Sequence, residues 1–140
     1  MSTEENKAAS RRIIEEAWNK GNLAVVDELI ASNYVVRGFG EAEFKGPDGF
    51  RQLTTMFRTA FPNLHVAIDD MVAEGDWVAV RYTRTGTHKG DLMGIAPTGK
   101  QVTMTGAVFA RFEGGKQVEA LGFADSLVMY QQMGVKPPME

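Results

Sequence analysis

The chain has 140 residues, with 15 basic and 18 acidic side chains, two histidines and no cysteine. The net charge of -3 and the scattered lysines and arginines argue against the basic patch that nucleic-acid binding requires. Without cysteine there are no disulfides or thiol nucleophiles, and the histidine spacing matches no metal motif. We therefore expect a single domain over residues 1–140 that binds neither nucleic acid nor metal.

The N-terminal sequence MSTEENKAAS is polar and acidic and has no signal-peptide character. No window of the chain approaches the apolar length of a membrane span. We therefore expect a cytoplasmic protein that makes no contact with a membrane.

The first half of the chain predicts helices. Ser2 and Glu5 have the spacing of a capping box, and apolar residues then recur at helical spacing until Gly21. Pro47 suits the first turn of a later helix, which Pro62 stops. The expected helices are residues 3–20, 23–31 and 46–61, with a short strand at 33–36 and a loop at 37–45.

After Pro62 the apolar period changes from helical spacing to alternation, which predicts strands. On one of them, Val80 and Tyr82 should share a face and Arg81 should lie on the other. The expected strands are 64–69, 77–87, 102–112 and 117–124, followed by a helix at 126–133 and a loose tail at 135–140. Helices followed by long strands predict an α+β fold with a mainly antiparallel, curved sheet that encloses a pocket.

Three stretches covering nearly the whole chain carry a family resemblance. They are EEAWNKGNLAVVDELIASNYV at 15–35, GPDGFRQLTTMFRTAFPNLHVAIDDMVAEGDWVAVRYTRTGTHKGDLMGIAPTGKQV at 46–102, and ADSLVMYQQMG at 124–134. Within them FPNLHV, GTHKGDLMGIAPTGK and DSLVMYQQMG are fairly specific. On these residues the chain resembles the SnoaL-like polyketide cyclases of the nuclear-transport-factor-like superfamily.

The resemblance implies a cone-shaped α+β barrel, in which three N-terminal helices pack on a strongly curved, mixed sheet around an open-ended apolar pocket. It also implies a homodimer through the outer face of the sheet, and an intramolecular aldol ring closure without metal or cofactor. An aspartate serves as acid/base in that chemistry, and the matching residue here is Asp125. Family members usually carry an aromatic residue, often tryptophan, four positions earlier, where this chain has Leu121.

Asp125 has two interpretations. It precedes a predicted helix, and aspartate is among the best N-cap residues, which would lower its pKa. It also shares strand phase with Leu121 and Phe123, and an apolar setting would raise its pKa towards the range of a general acid/base. We expect the second role, with Asp125 and His88 as catalytic residues.

The remaining candidates are also open to two interpretations each. His88 could hydrogen-bond a ketone or enolate, or be an ordinary loop histidine. Arg81 could bind an enolate oxygen, or pair with Asp69 or Asp70 across the sheet. Aromatic and methionine side chains could line a ligand site or simply fill the core. The expected substrate-binding residues are Trp18, Tyr34, Arg81, Met104, Leu121 and Phe123.

Three functions fit these patterns. The first is a cofactor-free acid/base enzyme, a cyclase or isomerase acting on a polyketide-like or other apolar carbonyl compound. The second is a non-catalytic protein that binds a small apolar molecule in the same cavity, which the loss of polar residues before Asp125 favours. The third is an interaction protein with a filled pocket, which would use the sheet face for docking.

Overall fold

The computed structural model describes residues 2–39 and 42–136, so most of the tail predicted to be loose, residues 137–140, lies outside the described residues. The helices are α1 (Thr3–Arg12), α2 (Ala24–Leu29), α3 (Gly46–Ala60) and α4 (Ser126–Met133), and a π-helical segment (Ile13–Trp18) directly follows α1. The strands are β1 (Ile30–Phe39), β2 (Ala42–Lys45), β3 (His65–Glu74), β4 (Trp77–Thr87), β5 (Gln101–Glu113) and β6 (Lys116–Ala124).

All six strands belong to one sheet with the order β2-β1-β6-β5-β4-β3. Strands β1 and β6 run parallel, and the other neighbours pair antiparallel. Register shifts interrupt the pairing of β1, β3 and β5, and such irregularities bend strands and increase their twist. The result is a curved, unclosed mixed sheet with helices, which confirms the predicted α+β class.

The N-terminal half differs from the expected elements in three places. The predicted helix 3–20 divides into α1 and the π-helical segment, and α2 ends at Leu29 because the chain enters β1 at Ile30. The predicted loop 37–45 is wrong for its described residues, since β1 continues to Phe39 and β2 pairs with it, while residues 40–41 lie outside the described ranges. An ion pair between Arg37 Nε and Glu43 Oε2, at 2.7 Å, joins these two strands.

Helix ends follow the local sequence. At α1 the predicted capping box is present: Ser2 Oγ accepts the Glu5 N–H at 3.0 Å, and Glu5 Oε1 accepts the Ser2 N–H at 2.9 Å. Helix α4 ends at Gly134, whose φ of 74° is a left-handed conformation that glycine adopts easily. Within the described ranges, no helix is long and apolar enough to cross a membrane.

The sheet has an inner face, which packs against α1, the π-helical segment and α3, and an outer face. Strand β4 alternates between them as predicted: Val80 and Tyr82 are buried on the inner face, and Arg81 is exposed on the outer face. Cross-strand partners share a face, so the register carries this division across the sheet. The hydrophobic core lies between the helices and the inner face.

Candidate functional site

A cavity of about 90 Å³ lies between the helices and the inner face of the sheet, and we call it the main cavity. This volume is several times what one water molecule requires. Its walls come from α1, the π-helical segment, α3 and every strand except β2. They are formed by Ser10, Ile13, Ile14, Trp18, Tyr34, Val36, Phe50, Leu53, Val66, Val80, Tyr82, Arg84, Val108, Ala110, Gln117, Ala120 and Gly122.

The π-helical segment contributes Trp18 to this wall. The Asn19 N–H donates to the carbonyl of Ile14 at 3.0 Å, five residues back instead of the four of an α-helix. The Trp18 ring packs edge-on against Phe50 and Phe57, with centroids 6.1 Å apart in both pairs. Trp18 therefore lies where the sequence predicted, and its contact with a substrate stays a prediction.

Three residues of the wall carry a hydroxyl group: Ser10, Tyr34 and Tyr82. Tyr34 is 3% exposed and packs edge-on against Phe50, and burial raises the pKa of its phenol above the ordinary value. Its hydroxyl therefore stays protonated at neutral pH and can donate a hydrogen bond. Ser10 is buried on α1, and its Oγ has no hydrogen-bond partner among the described residues. The Tyr34 hydroxyl is suited to contact a polar atom of a ligand, whereas Ser10 Oγ is fully enclosed.

Arg84 is the charged side chain of the wall. It lies on the inner face of β4, is 9% exposed, and forms no ion pair with any carboxylate in residues 2–39 and 42–136. Its guanidinium lies over the rings of Phe57 and Tyr82, at 4.8 Å and 5.5 Å from their centroids. Its one hydrogen-bond contact there is from Nη2 to the Met104 sulfur, at 3.9 Å.

Burial lowers the pKa of Arg84, because the apolar surroundings disfavour its charged form. An arginine nevertheless stays protonated at neutral pH, so the cavity contains a permanent cation. Two cation–π contacts of up to about 2 kcal/mol each offset part of a desolvation cost of several kcal/mol. A thioether sulfur is only a weak acceptor, so most of the guanidinium N–H groups lack a strong partner among the described residues.

Met104, expected at the substrate site, lies beside this cation. It lines a second, much smaller cavity of about 10 Å³, and Arg84 borders both cavities. Sequence reasoning missed Arg84, although alternation after Val80 and Tyr82 places it on the inner face. Strand phase alone would have identified Arg84 as an inward-facing residue. The usual assumption that an arginine faces solvent hid this signal.

Asp125 is the N-cap of α4. Its Oδ1 accepts the Val128 N–H at 3.3 Å, and its own N–H donates to the carbonyl of Thr105 at 3.0 Å. The residue is exposed and does not line the main cavity. The apolar setting expected around it is absent, since Phe123 is 61% exposed. The structure therefore contains the helix N-cap that was one of the two interpretations of Asp125, and an acid/base role stays a prediction.

His88 is fully buried and does not line the main cavity. The Thr98 N–H donates to His88 Nδ1 at 3.2 Å, and the Thr98 hydroxyl lies 3.0 Å from the same nitrogen. Because Nδ1 accepts, the neutral ring carries its proton on Nε2, which has no partner in the described part of the chain. In this position His88 holds the segment after β4, and a catalytic role stays a prediction.

Three expected substrate-binding residues lie on the outer face, opposite the main cavity. Arg81 is exposed and pairs through Nε with Asp70 Oδ2 at 2.7 Å, the structural alternative considered from the sequence. Leu121 and Phe123 alternate with the cavity-lining Gly122, so their side chains leave the sheet on the other side. These three side chains therefore do not line the main cavity, where the sequence had led us to expect them.

The chemistry of the main cavity follows from its lining. Described residues in its wall include no aspartate, glutamate or histidine, and the charge there is the Arg84 cation. The side chains of the described residues also form no cluster of three or more potential metal ligands. The wall as it stands can enclose an apolar molecule and bind negative charge, and a proton acceptor has to come from elsewhere.

The sequence matches the family model described as SnoaL-like polyketide cyclase over residues 8–133. It is 30% identical over 127 residues to the aklanonic acid methyl ester cyclase DnrD of Streptomyces peucetius, which covers 89% of this chain and 87% of DnrD.

Two solved structures show the same fold. IdmH of Streptomyces antibioticus superposes with a TM-score of 0.79 at 30% identity, over 93% of this chain and 99% of IdmH. TsrD of Streptomyces laurentii superposes with a TM-score of 0.87 at 20% identity, over 97% and 99% of the two chains.

Proposed function

Because the chain belongs to the SnoaL-like polyketide cyclase family, we propose that it binds a polyketide-like carbonyl compound in the main cavity and cyclises or isomerises it without a cofactor. The observation that supports this most is the wall itself, which is apolar apart from three hydroxyl groups, the Gln117 amide and one buried cation. Such a wall can hold a flexible substrate folded, with nucleophilic carbon and carbonyl close together, which removes much of the entropic barrier.

An aldol ring closure also needs a group that takes a proton from carbon and returns one to oxygen. Asp125 is the carboxylate that the family resemblance nominates for this task. In the structure its Oδ1 accepts the Val128 N–H, and Oδ2 makes no hydrogen bond to the described residues. The cavity-lining part of β6 ends at Gly122, close to Asp125 in the chain. A substrate that extends out of the cavity at this end of β6 is therefore the kind of substrate to test.

A second function deserves testing because of one observation. The wall formed by the described residues contains no carboxylate and no imidazole, so the wall can account for binding, whereas catalysis needs a group from outside it. On this interpretation the chain is a non-catalytic binding protein for the same class of compound.

Turnover of aklanonic acid methyl ester, the compound named for DnrD, tests the proposed activity and the role of Asp125. Asparagine caps helices as well as aspartate does, so Asp125→Asn should change the free energy of unfolding by less than about 0.5 kcal/mol. If Asp125 is the acid/base, the variant should lose about 100-fold or more in kcat. Chromatography of the reaction measures ring closure, which leaves the mass of the compound unchanged.

Unchanged kcat in Asp125→Asn would contradict the role of Asp125 while leaving the activity in place. Binding without product in the wild-type protein would instead favour the non-catalytic function. Asp125→Ala separates the cap from the chemistry, because it should lower stability by about 1 kcal/mol where Asp125→Asn does not.

We also propose that the chain forms a homodimer through the outer face of the sheet. Paired residues of β3 to β6 create a contiguous apolar surface there, the outer-face patch. It consists of Val72, Ala79, Ala107, Phe109, Leu121 and Phe123. Three of its side chains are more than 40% exposed in a single chain, and monomeric proteins rarely expose large contiguous apolar patches. A two-fold axis would bury this patch against its own copy.

Phe109→Glu tests the dimer, because Phe109 lies at the middle of the outer-face patch, between Ala79 and Leu121. Sedimentation of the wild-type chain should give the mass of a dimer, and the variant should sediment as a monomer. Leu127→Glu is the matched control, since Leu127 is 54% exposed on α4 and outside the patch, and it should remain dimeric. A monomeric wild-type chain would contradict the proposal.

A further inference from the structure

Two arginines of β4 meet different surroundings. Arg81 is exposed on the outer face and pairs with Asp70, which is the usual arrangement for an arginine on a strand. Arg84, three residues later, is buried on the inner face and borders both cavities without an ion pair in the described ranges. Arg84 lines the cavity that we propose as the ligand site.

We infer that the ligand of the main cavity carries one anionic oxygen, as a carboxylate, enolate or phenolate, and that the Arg84 guanidinium binds it. This inference rests on the proposed function in that it uses the same cavity. It adds the charge of the ligand: an otherwise apolar carbonyl compound with a single acidic group. For a reaction through an enolate, the same contact would stabilise the negative oxygen as it forms.

The geometry around Arg84 supports a ligand contact. The rings of Phe57 and Tyr82 hold the guanidinium at 4.8 Å and 5.5 Å, which fixes the cation without using its N–H donors. A guanidinium has five donors in a planar fork, and the Met104 sulfur occupies one of them at 3.9 Å. The remaining donors suit the two lone-pair-rich oxygens of a carboxylate or one enolate oxygen.

The charge of the cavity wall also favours an anionic ligand. An anion enters apolar surroundings at a high desolvation cost unless it meets an opposite charge, and Arg84 is the charged residue of the wall. A neutral compound of the same shape would leave the buried cation without a strong acceptor. The site should therefore bind the anion more tightly than the neutral compound, as buried polar sites discriminate against analogues that lack the matching group.

Benzoate and benzamide are probes of nearly equal shape that differ in charge. In an NMR titration of the full chain, benzoate should shift the Arg84 Nε–H signal and bind at least about thirtyfold more tightly than benzamide. Arg84→Met should abolish this preference. Arg81→Met is the matched control, because it removes the same side chain from the outer face of the same strand, and it should keep the preference.

Equal binding of the two probes by the wild-type chain would overturn the inference, as would an Arg84 Nε–H signal that benzoate leaves unmoved. The wild-type comparison needs no variant to fold. Failure of the proposed function looks different: aklanonic acid methyl ester would not be turned over, while benzoate would still be preferred over benzamide through Arg84.

Discussion

Arg84→Met is expected to raise the free energy of unfolding of the unliganded chain by about 2 kcal/mol. Methionine fills a similar volume, removes the desolvated charge, and suits walls that already contain Met104 and Phe57. The lost cation–π contacts reduce the gain but do not cancel it. Urea denaturation of the variant and the wild-type chain measures the difference.

The same substitution at Arg81 provides the comparison. Its ion pair with Asp70 is solvent-exposed, and such pairs contribute only about 0–1 kcal/mol, so Arg81→Met should be neutral or slightly destabilising. A stability loss of about 2 kcal/mol or more in Arg84→Met would mean that Arg84 is a structural residue. Stabilisation combined with loss of benzoate binding would mean that stability is given up for function.

The long strands and the fold class could be predicted because alternation is a strong local signal. On β4, the period of two placed Val80 and Tyr82 on one face and Arg81 on the other, as the structure confirms. The edge hairpin of β1 and β2 was missed, because its residues are mixed in polarity and its pairing depends on contacts made only in the folded sheet. The π-helical turn was missed because it is a change of hydrogen-bond register, to which apolar spacing is insensitive.

The site was harder to predict. Alternation shows which residues of a strand share a face, but it does not show which face points towards the core. Strand β6 is apolar on both faces: Ala120 and Gly122 line the main cavity, while Leu121 and Phe123 form part of the outer-face patch. The larger pair looked like the pocket side. In the structure the small pair faces the cavity.

The uncertainty about which face points inwards also explains the wrong burial predicted for Asp125 and the failure to identify Arg84. Asp125 shares the phase of Leu121 and Phe123, so the burial expected for it depended on that pair facing inwards. Arg84 shares the phase of Tyr82, but a charged residue in a strand is normally assigned to solvent. Both errors arise where an element departs from the usual division of apolar inside and charged outside, and such departures concentrate at functional sites.

Filling the main cavity from β6 is expected to weaken ligand binding strongly. Gly122 lies opposite Val108 in the wall, and a Cβ added there would meet only the Arg37 carbonyl oxygen, at an ordinary 3.7 Å. Gly122→Leu should therefore fold and direct its side chain into the cavity. Thr105→Leu is the matched control, since Thr105 is exposed on the outer face of the neighbouring strand.

Calorimetric titration of aklanonic acid methyl ester into these three proteins locates the ligand site. The wild-type chain and Thr105→Leu should bind with equal affinity, and Gly122→Leu should bind about 100-fold more weakly, because an overfilled site costs about 1–3 kcal/mol. Equal affinity in all three proteins would place the ligand outside the main cavity and contradict the proposed function, as would a wild-type chain that does not bind the compound.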